Sequence, residues 1–339
     1  MLLFLDQEVD LHTDWVEAEC RRRGVPFFRF CTERFPQQVL LSVRPAGERF
    51  TGRLIEGDRE IALEEITGVW YRRPGAVEVD PQIPEEVRGF ARNEARAALD
   101  GLSRALWDRR WVSVPHLVEA AAHKVHQLRL AHSLGFQVPH SIITNDPDEA
   151  LRFFAECQEQ MIYKPLRLAM ITDTSGGEHS IFTTLIDRDS IEEHLESIRL
   201  TPCLFQKYIE KAYELRINVI GDRVWAASIH SQEKERTRVD FRTDTEGCRH
   251  EIAYLDEKLE RMCLELTHRL GLRMGNIDMI VTPEGEHVFL EINPNGQWAW
   301  IEDMIGLPLC AALVDELLGV DTVSGHWYLR RRSAEAVSA

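Results

Sequence analysis

The chain has 339 residues, 44% of them hydrophobic and 28% charged, which is typical of a folded globular protein with two or three subdomains. Its formal net charge of −16 argues against binding along a nucleic-acid backbone, because such binding needs a basic face. A local basic pocket for a small polyanion is still compatible with this charge.

The N-terminus and the cysteines exclude further classes. The apolar run MLLFL stops at Asp6, which is too early for a signal-peptide core, and no stretch reaches the roughly 18 apolar residues of a membrane span. The seven scattered cysteines contain no CxxC pair, so we expect reduced thiols in a cytoplasmic protein. Four histidines resemble a cluster: His116, His123, His126 and His132. The first three share a helix face only approximately, so ordinary core or surface histidines are favoured over a zinc site.

The first 115 residues alternate strand and helix signals, which predicts an α/β layer. The predicted elements are, in chain order, a strand in LLFL, a helix ending at Gly24, a strand in VPFFRF, antiparallel strands in 38–64, a strand in GVWYRRP, a helix over 84–107 and a strand in WVSVP. A second unit is predicted over 116–205.

The second unit begins with a predicted helix over 116–135 that ends at Gly135. The later elements are a strand in PHSIIT, a helix in PDEALRFFAE capped by Asn145 or Asp146, a strand in MIYKP, the polar loop TDTSGGEHS and a strand in IFTTLI. A third unit over 206–325 is predicted to be mostly strands, with one helix over 256–270. Residues 326–339 are predicted to form a flexible tail.

The segment NIDMIVTPEGEHVFLEINPNGQW predicts a β-hairpin around the turn PEG. If Glu284 and Gly285 are the two loop residues, three pairs lie directly opposite each other: Asp278 with Glu291, Asn276 with Asn293, and Ile280 with Phe289. The other face carries apolar side chains, namely Ile277, Met279, Val281, Val288, Leu290 and Ile292. One face is therefore expected to be core, and the other is expected to line a cleft.

Two carboxylates about 5 Å apart on a sheet repel each other, and keeping both ionised in a partly buried site is costly. A divalent cation removes this cost, and Asp278, Glu291 and Asn293 supply the hard oxygen ligands that suit Mg²⁺. The open alternative is a pair of solvated carboxylates on an exposed sheet face. Trp298 and Trp300, just beyond the hairpin, disfavour that alternative.

The run IDMIVTPEGEHVFLEINPNGQW resembles the metal-binding hairpin of the ATP-grasp superfamily, and its extension NGQWAWIE resembles the graspetide (microviridin-type) ribosomal-peptide ligases. Other segments follow in the order of that subgroup, over about residues 65–305: GVWYRRP, the Lys124 helix, IYKP, QKYIEK, ELRINVIGDRVWAASI and RVDFR. The resemblance implies an α/β (α+β) ATP-grasp fold. Its parts would be an N-terminal pre-ATP-grasp domain at 1–115, a central subdomain at 116–205 and a C-terminal antiparallel-sheet subdomain at 206–325.

The resemblance also implies roles for individual residues. Lys124 and Lys164 would contact ATP phosphates, and Gly176 and Gly177 would belong to a lid over them. A hinge segment would meet the adenine, namely Gln206, Lys207, Tyr208 and Ile209, and Glu214 would lie at the ribose. Asp278, Glu291 and Asn293 would bind the metal, with Asn293 also at the nucleotide, and Arg216, Asp240 and Arg242 would serve catalysis.

The residues alone leave alternatives open. Lys164 is also compatible with a surface lysine, and Lys124, in an Ala-rich helix, with a snorkelling side chain. The glycine pair is compatible with an ordinary turn. Asp240 and Arg242 alternate in VDFR onto one face, as on a strand, and they are also compatible with a plain ion pair. On the strand ELRINVI, Arg216 and Asn218 share the face opposite the apolar side chains, so they are expected to point into the cleft.

The activity implied by the resemblance is ATP-dependent macrocyclisation with ATP and two Mg²⁺ ions. Asp or Glu side chains of a ribosomal precursor peptide (leader plus core) would be joined to Thr or Ser hydroxyls as ω-esters, or to Lys amines as ω-amides. A homodimer in the cytoplasm is expected, with no nucleic-acid or membrane partner. The alternatives are an amino-acid ligase that adds glutamate or another amino acid to a carboxylate, and a non-catalytic nucleotide-binding regulator.

Overall fold

A computed structural model describes residues 1–167, 170–173 and 177–320 of the chain. The predicted lid residue Gly176 and the predicted tail at 326–339 lie outside the described residues. Within the described part, no helix is both long and apolar enough to cross a membrane.

The N-terminal part contains a parallel sheet flanked by helices and by a small antiparallel sheet. Its elements are β1 (Leu2–Asp6), α1 (Leu11–Arg23), β2 (Phe27–Cys31), β3 (Val39–Ala46), β4 (Arg49–Glu56), β5 (Arg59–Ala62), β6 (Gly68–Tyr71), α2 (Glu85–Ala105) and β7 (Arg110–Val112). The parallel strands lie in the order β2-β1-β6-β7, and β3, β4 and β5 form the antiparallel sheet. All five residues of β1 are buried, which explains its continuous apolar run.

Helix α1 shows how the sequence sets its own boundaries. Asp10 caps its N-terminus by accepting hydrogen bonds from the backbone amides of His12 and Thr13. Gly24 follows its last turn with φ 67°, a left-handed conformation that glycine adopts without steric cost. The predicted end of this helix is confirmed.

The central part has two helices where one was predicted. Its elements are α3 (Pro115–Ala121), α4 (Lys124–Ser133), β8 (Ser141–Thr144), α5 (Pro147–Glu156), β9 (Met161–Lys164), β10 (Met170–Thr172), β11 (Glu178–Ser180), β12 (Thr184–Ile186), α6 (Arg188–Glu193) and β13 (Cys203–Lys207). Strands β12-β9-β13-β8 form an antiparallel sheet, and β10 pairs with β11. The strand predicted in IFTTLI is shorter than expected.

The single helix predicted over 116–135 is wrong because the chain leaves the helical conformation at His123, whose backbone is extended. The buried carboxamide of Gln127 stabilises the break. Its Nε2 donates to the carbonyl of Ala121, 2.7 Å away, and to the carbonyl of Ile292 at 2.8 Å. The break makes Lys124 the first residue of α4, beside β18 of the hairpin.

The C-terminal part is a five-stranded antiparallel sheet covered by helices. Its elements are β14 (Tyr213–Ile220), β15 (Arg223–Ile229), β16 (His250–Ala253), α7 (Glu257–Arg269), β17 (Met274–Val281), β18 (His287–Asn293), α8 (Ala299–Ile305) and α9 (Leu309–Leu318). The strand order is β16-β15-β14-β17-β18. The prediction of one helix in this part is wrong, since α8 and α9 follow the hairpin.

The expected strand alternation of Asp240 and Arg242 is also wrong. Residues Phe241–Asp244 form a short 3-10 helix, and the Asp240 side chain caps it by accepting a hydrogen bond from the Arg242 amide. Both side chains nevertheless lie on the same cleft, because the cap brings them together.

The hairpin pairs Asp278 with Glu291, as predicted, but its register changes at the next residue. The turn is centred on Glu284, since Val281 lies opposite His287. A β-bulge between Asp278 and Met279 compensates for this difference. The shifted turn and the bulge change the register by one residue in opposite directions, so Asp278 still lies opposite Glu291.

The predicted pair of Ile280 with Phe289 is wrong for this reason. Ile280 lies opposite Val288, and Phe289 lies opposite Met279 in the core. Leu290, expected on the core face, is the extra residue of the bulge and lines the cleft together with Ile280.

The N-terminal and C-terminal parts share one hydrophobic core. Leu2, Phe4 and Trp70 of the parallel sheet pack in the same cluster as Trp298 and Leu313. Helix α9 thus returns to the first sheet of the chain and fixes the loop before α8 against it. The domain boundaries near 115 and 205 stay a prediction.

Candidate active site

A cleft of about 950 Å³ lies between the central sheet and the C-terminal sheet. Nearly all the residues predicted for the site line it: Lys124, Lys164, Gln206, Lys207, Tyr208, Ile209, Glu214, Arg216, Asp240, Arg242, Asp278, Glu291 and Asn293. Gly177 is not among the lining residues, although Ser180 and Thr183 beyond it are. The predicted residues therefore lie together in one cleft, but Gly177, predicted for its lid, does not line it.

Three oxygen-bearing side chains of the hairpin meet at the base of the cleft. The amide nitrogen Nδ2 of Asn293 donates to Asp278 Oδ2 at 3.2 Å and to Glu291 Oε1 at 3.1 Å. Beneath them, Asn276 Nδ2 donates to the Asn293 carbonyl at 3.1 Å, and Asn276 Oδ1 accepts a hydrogen bond from Asn218 Nδ2 at 2.5 Å. These buried amides hold the strands in register under the carboxylates.

Each carboxylate faces a cation from a different element. Arg216 on β14 lies opposite Asp278, and its Nη1 is 2.6 Å from both carboxylate oxygens. Lys124, at the start of α4, forms an ion pair with Glu291. The expectation that Arg216 points into the cleft is therefore confirmed by its contacts.

The two carboxylates differ in their protonation equilibria. Burial raises the pKa of Asp278, and the charge of Glu291 adds to this, while Arg216 opposes it. Burial also tends to raise the pKa of Glu291, but the charges of Lys124 and Lys164 lower it well below its ordinary value. The raised pKa of Asp278 shows that its ionised form is less favoured than that of Glu291, so a further cation beside Asp278 would stabilise it.

The donor set fits Mg²⁺. Among the described residues, no group of three or more His, Cys, Asp or Glu side chains could hold a metal ion. Asp278, Glu291 and Asn293 offer two carboxylates and one amide. Mg²⁺ characteristically binds few protein oxygens and completes its shell with water and phosphate oxygens.

Lys164 lies at the end of β9, deep in the same cleft. Desolvation lowers the pKa of its ammonium group, although the charge of Glu291 raises it. An ammonium group that has lost most of its water gains from an anionic ligand, since phosphate oxygens replace that hydration.

Asp240 and Arg242 form the ion pair that the sequence left open. Asp240 Oδ1 is 2.8 Å from Arg242 Nε, and Asp240 Oδ2 accepts a hydrogen bond from the Thr183 amide at 2.9 Å. Burial alone would raise the pKa of Asp240, but the bonds to Arg242 lower it to about 2. Asp240 therefore orients Arg242 and ties the segment before β12 to the cleft.

The hinge between β13 and β14 has part of its polar groups already occupied. The Tyr208 amide donates to the Gln160 carbonyl at 2.8 Å, and Gln206 Nε2 donates to Ser141 Oγ at 2.9 Å. Glu214 accepts a hydrogen bond from Lys211 Nζ at 2.7 Å, and burial raises the pKa of its carboxyl group. Contacts of this segment with adenine and ribose stay a prediction.

Sequence reasoning missed the residues that support the loop after β18. Arg72, 1% exposed, donates from Nη1 to the carbonyl of Asn295 at 2.7 Å and of Gly296 at 3.2 Å. Arg216 Nη2 donates to the carbonyl of Gln297 at 2.8 Å. The signal that could have identified Arg72 was the pair of arginines in GVWYRRP. That segment contributed to the resemblance, but no role was predicted for its arginines.

Comparisons with known proteins agree with this architecture. Residues 3–119 match the family described as MvdD pre-ATP grasp domain, and residues 121–317, more than half of the chain, match the RimK-like ATP-grasp domain. The predicted ATP-grasp fold with an N-terminal pre-ATP-grasp domain is confirmed.

Two solved structures resemble nearly the whole chain. Macrocyclase MdnC bound with precursor peptide MdnA, from Microcystis aeruginosa, is 29% identical with a TM-score of 0.82, covering 94% of this chain and 99% of that one. A Chryseobacterium gregarium RiPP-associated ATP-grasp ligase, in complex with ADP and a leader and core peptide, is 30% identical with a TM-score of 0.87, covering 95% and 97%. The predicted resemblance to ribosomal-peptide ligases is confirmed.

Curated relatives match over a smaller part. The α-aminoadipate–LysW ligase LysX of Sulfurisphaera tokodaii is 23% identical over 50% of this chain and 58% of its own length. A probable α-L-glutamate ligase of Rhodopirellula baltica is 24% identical over 56% of this chain and 44% of its own length. The match thus spans about half the length of these relatives.

Proposed function

We propose that this chain, which belongs to the RimK-like ATP-grasp family, is an ATP- and Mg²⁺-dependent ligase that closes rings in a ribosomal precursor peptide. The observation that carries the proposal is the facing pair of Asp278 and Glu291, which lies in one cleft with Lys124, Lys164 and Arg216. The whole-length similarity to a peptide macrocyclase and to a peptide-bound ligase supports a peptide as the substrate.

The chemistry follows from the poor leaving ability of a carboxylate oxygen. A side-chain carboxylate of the peptide attacks the γ-phosphorus of ATP, the bond to the bridging oxygen breaks, and an acyl phosphate and ADP result. A hydroxyl or amine of the same peptide then attacks the carbonyl carbon and loses its proton, and phosphate leaves. Each ring therefore removes one water from the peptide, about 18 Da, at the expense of one ATP.

The residues of the cleft have matching tasks. Lys124 and Lys164 would bind phosphate oxygens, and Arg216 and Arg242, which Asp240 orients, would stabilise charge on the transferring group. When bound, Mg²⁺ would neutralise phosphate charge, held by Asp278, Glu291 and Asn293, and we propose two such ions.

Before ATP binds, the ion pairs of Lys124 with Glu291 and of Arg216 with Asp278 balance the charge of the carboxylates. In the nucleotide complex, Lys124 would exchange Glu291 for a phosphate oxygen, and Glu291 would then be available to hold Mg²⁺ together with Asp278 and Asn293. The same exchange would leave Arg216 in contact with Asp278, because the carbonyl of Gln297 fixes its second nitrogen.

The nucleotide is proposed to bind with its phosphates under the loop around Gly177, where the Gly177 amide donates to Asp173 Oδ1 at 2.8 Å. Its adenine would lie at the hinge of Gln206, Lys207, Tyr208 and Ile209, and its ribose near Glu214. Enclosure of the nucleotide in this way would exclude water and so protect the acyl phosphate until the intended nucleophile arrives.

We further propose a homodimer that acts in the cytoplasm, where ATP is supplied. The first half of α2 carries two apolar side chains on one face that are strongly exposed, Val87 at 45% and Phe90 at 68%. Burying them against a second copy would remove this exposure. The variant Phe90→Glu should then sediment as a monomer, whereas an unchanged sedimentation coefficient would move the interface elsewhere.

An amino-acid ligase is the second candidate. It is supported by the two curated relatives, which match about half of the chain. Mass spectrometry separates the two functions. The chain is incubated with ATP, Mg²⁺ and a short candidate peptide rich in Thr, Ser, Asp and Glu, for which open reading frames beside its gene are the first place to search. Loss of one water per ring, about 18 Da, is expected for ring closure, whereas a gain in mass supports the amino-acid ligase. ATP binding without turnover of either kind would favour a regulator.

A further inference from the structure

A buried polar cluster connects the N-terminal sheet to the loop between β18 and α8. It consists of Asp10, His12 and Arg72, none of which is more than 7% exposed. These residues lie outside the cleft, so they have no direct contact with its lining carboxylates. Polar groups buried this deeply are costly unless they are satisfied, which indicates a specific task.

Asp10 organises the cluster. Its Oδ1 accepts hydrogen bonds from the amides of His12 at 2.9 Å and Thr13 at 3.2 Å, and lies 3.4 Å from Arg72 Nε. Arg72 extends beyond Asp10 and donates from Nη1 to the carbonyl of Asn295. One point of the loop is thereby attached to strand β6.

His12 attaches a second point of the loop. Its Nδ1 lies 3.3 Å from Asp10 Oδ1, and its Nε2 accepts a hydrogen bond from the backbone amide of Trp298 at 2.9 Å. The Trp298 indole packs edge-on against the imidazole, with 5.1 Å between the ring centroids. This arrangement requires a neutral imidazole with its proton on Nδ1.

The two attachment points enclose the carbonyl that supports the active-site arginine. Gln297 lies between Asn295 and Trp298, and its carbonyl accepts a hydrogen bond from Arg216 Nη2 at 2.8 Å. The other nitrogen of Arg216 holds both oxygens of Asp278. A displacement of the loop would therefore reach Asp278 through one side chain.

We infer that His12 is a positioning residue of the proposed ligase reaction: by accepting the Trp298 amide, it holds the Gln297 carbonyl where it fixes Arg216 against Asp278. The inference rests on the proposed function for its kinetic consequence. The geometric part concerns this chain alone and is measurable without turnover.

Protonation of His12 would break this contact, because Nε2–H would then face the Trp298 N–H. The charged groups that act on His12 are Asp10 ahead of its helix, and Arg72 and Arg73 at the end of β6. Burial and the two arginines lower the pKa of His12, whereas Asp10 raises it, and the net shift is downward. From the loop, Trp298 contacts His12 through its backbone amide and its indole ring, and neither group titrates.

The kinetic test compares His12→Gln, His12→Leu and the exposed control His194→Gln over about pH 5–8. Gln presents an acceptor near the position of Nε2 and does not titrate. The kcat of His12→Gln should therefore stay near that of the wild type, and its pH profile should lack the acid limb. Leu removes the acceptor and should lower kcat about tenfold or more, with the KM for ATP nearly unchanged. His194→Gln should keep the wild-type profile.

The structural test follows the Arg216 side-chain signal in ¹⁵N NMR spectra of the full chain. We expect it to shift in His12→Leu and to keep its wild-type position in His12→Gln. An unchanged Arg216 signal in His12→Leu, or an acid limb retained in His12→Gln, would overturn the inference. If the Arg216 signal shifts in His12→Leu while the wild-type chain forms no product, the positioning role is supported and the proposed function is contradicted.

Discussion

Arg216 and Asp278 form a two-contact ion pair across neighbouring strands, with Nη1 of the arginine 2.6 Å from each carboxylate oxygen. The second guanidinium nitrogen donates to the loop that follows the hairpin. A planar guanidinium makes both contacts at once, which an ammonium group does not. This pair joins the cation, the carboxylate proposed to bind Mg²⁺ and the loop into one unit.

Arg216→Lys should consequently impair catalysis although it keeps the charge. We expect kcat for peptide conversion to fall by about 100-fold, because Asp278 loses one contact and the Gln297 carbonyl loses its donor. Single-turnover assays with ATP and peptide measure this loss. Arg223→Lys, a charge-matched change on the adjacent strand β15, provides the comparison. Equal rates for wild type and Arg216→Lys would exclude a role for the two-contact geometry.

Replacing the hairpin carboxylates should alter the metal requirement. Asp278→Asn and Glu291→Gln remove one negative ligand each, so the Mg²⁺ concentration at half-maximal ATP turnover should rise about tenfold or more. Glu284→Gln, in the exposed turn of the same hairpin, should leave it unchanged. Mg²⁺ titrations of ATP hydrolysis, with chelator as the zero point, measure this. A wild-type Mg²⁺ dependence in both active-site variants would place the metal elsewhere.

Lys164→Met should weaken ATP binding, because it removes a cation from deep in the cleft. We expect the Kd for ATP to rise about tenfold, while the melting temperature stays the same or increases, since a desolvated charge is lost. Calorimetric titration with ATP measures the affinity. Lys258→Met, on the exposed face of α7, serves as the control for the loss of one lysine. Unchanged affinity in Lys164→Met would leave only Lys124 of the two proposed phosphate ligands.

Two glycines should respond to alanine in opposite directions. A Cβ on Gly68 of β6 would come within 2.4 Å of the Leu317 carbonyl oxygen on α9, so Gly68→Ala should destabilise the fold by about 2 kcal/mol. A Cβ on Gly101 of α2 meets nothing within 4 Å, so Gly101→Ala should stabilise the helix by about 0.5 kcal/mol or more. Urea unfolding measures both free energies. A neutral Gly68→Ala would mean that α9 does not pack on β6 as described.

The bond between Asp240 and Arg242 predicts a pH-dependent contribution to stability. The pKa of Asp240 is about 2 in the folded chain and ordinarily 3.8, so its contribution is fully present above about pH 4.5 and disappears as the pH falls through 2. Wild type minus Asp240→Asn should therefore give a difference in unfolding free energy that shrinks by about 2 kcal/mol between pH 5 and strongly acidic conditions.

Urea titrations at several pH values measure that difference. Asp58→Asn, in the exposed turn between β4 and β5, controls for the change in net charge. A difference between wild type and Asp240→Asn that does not change with pH would mean that Asp240 is not ionised against Arg242 in the folded chain.

The hairpin shows what the sequence can predict and why the rest escapes it. Alternation of polar and apolar residues places Asp278 opposite Glu291 because both lie on the same face of paired strands. The bulge at Leu290 has no comparable signal in the pattern, although it decides that Phe289 lies in the core opposite Met279. The sequence pattern thus predicts the facing carboxylates correctly, but it does not predict the register of the rest of the hairpin.

The break between α3 and α4 escaped prediction for a similar reason. The periodic apolar residues continue through His123, and the interruption depends on Gln127, whose amide also binds β18 across the fold. Arg72 was equally invisible as a site residue, because its carbonyl partners lie more than 220 positions away in the chain. Contacts over such separations are decided by tertiary packing, which local propensity does not encode.

The shared core of β6, α1 and α9 has a consequence for protein engineering. Leu313 and Leu317 of α9 belong to the same core cluster as Trp70 of the N-terminal sheet, although they come from the other end of the sequence. A chimaera that exchanges only the first 115 residues with those of a relative would place a foreign sheet against the resident helix. An exchange of the N-terminal part between related chains should therefore transplant the two distant segments together, as one discontinuous module.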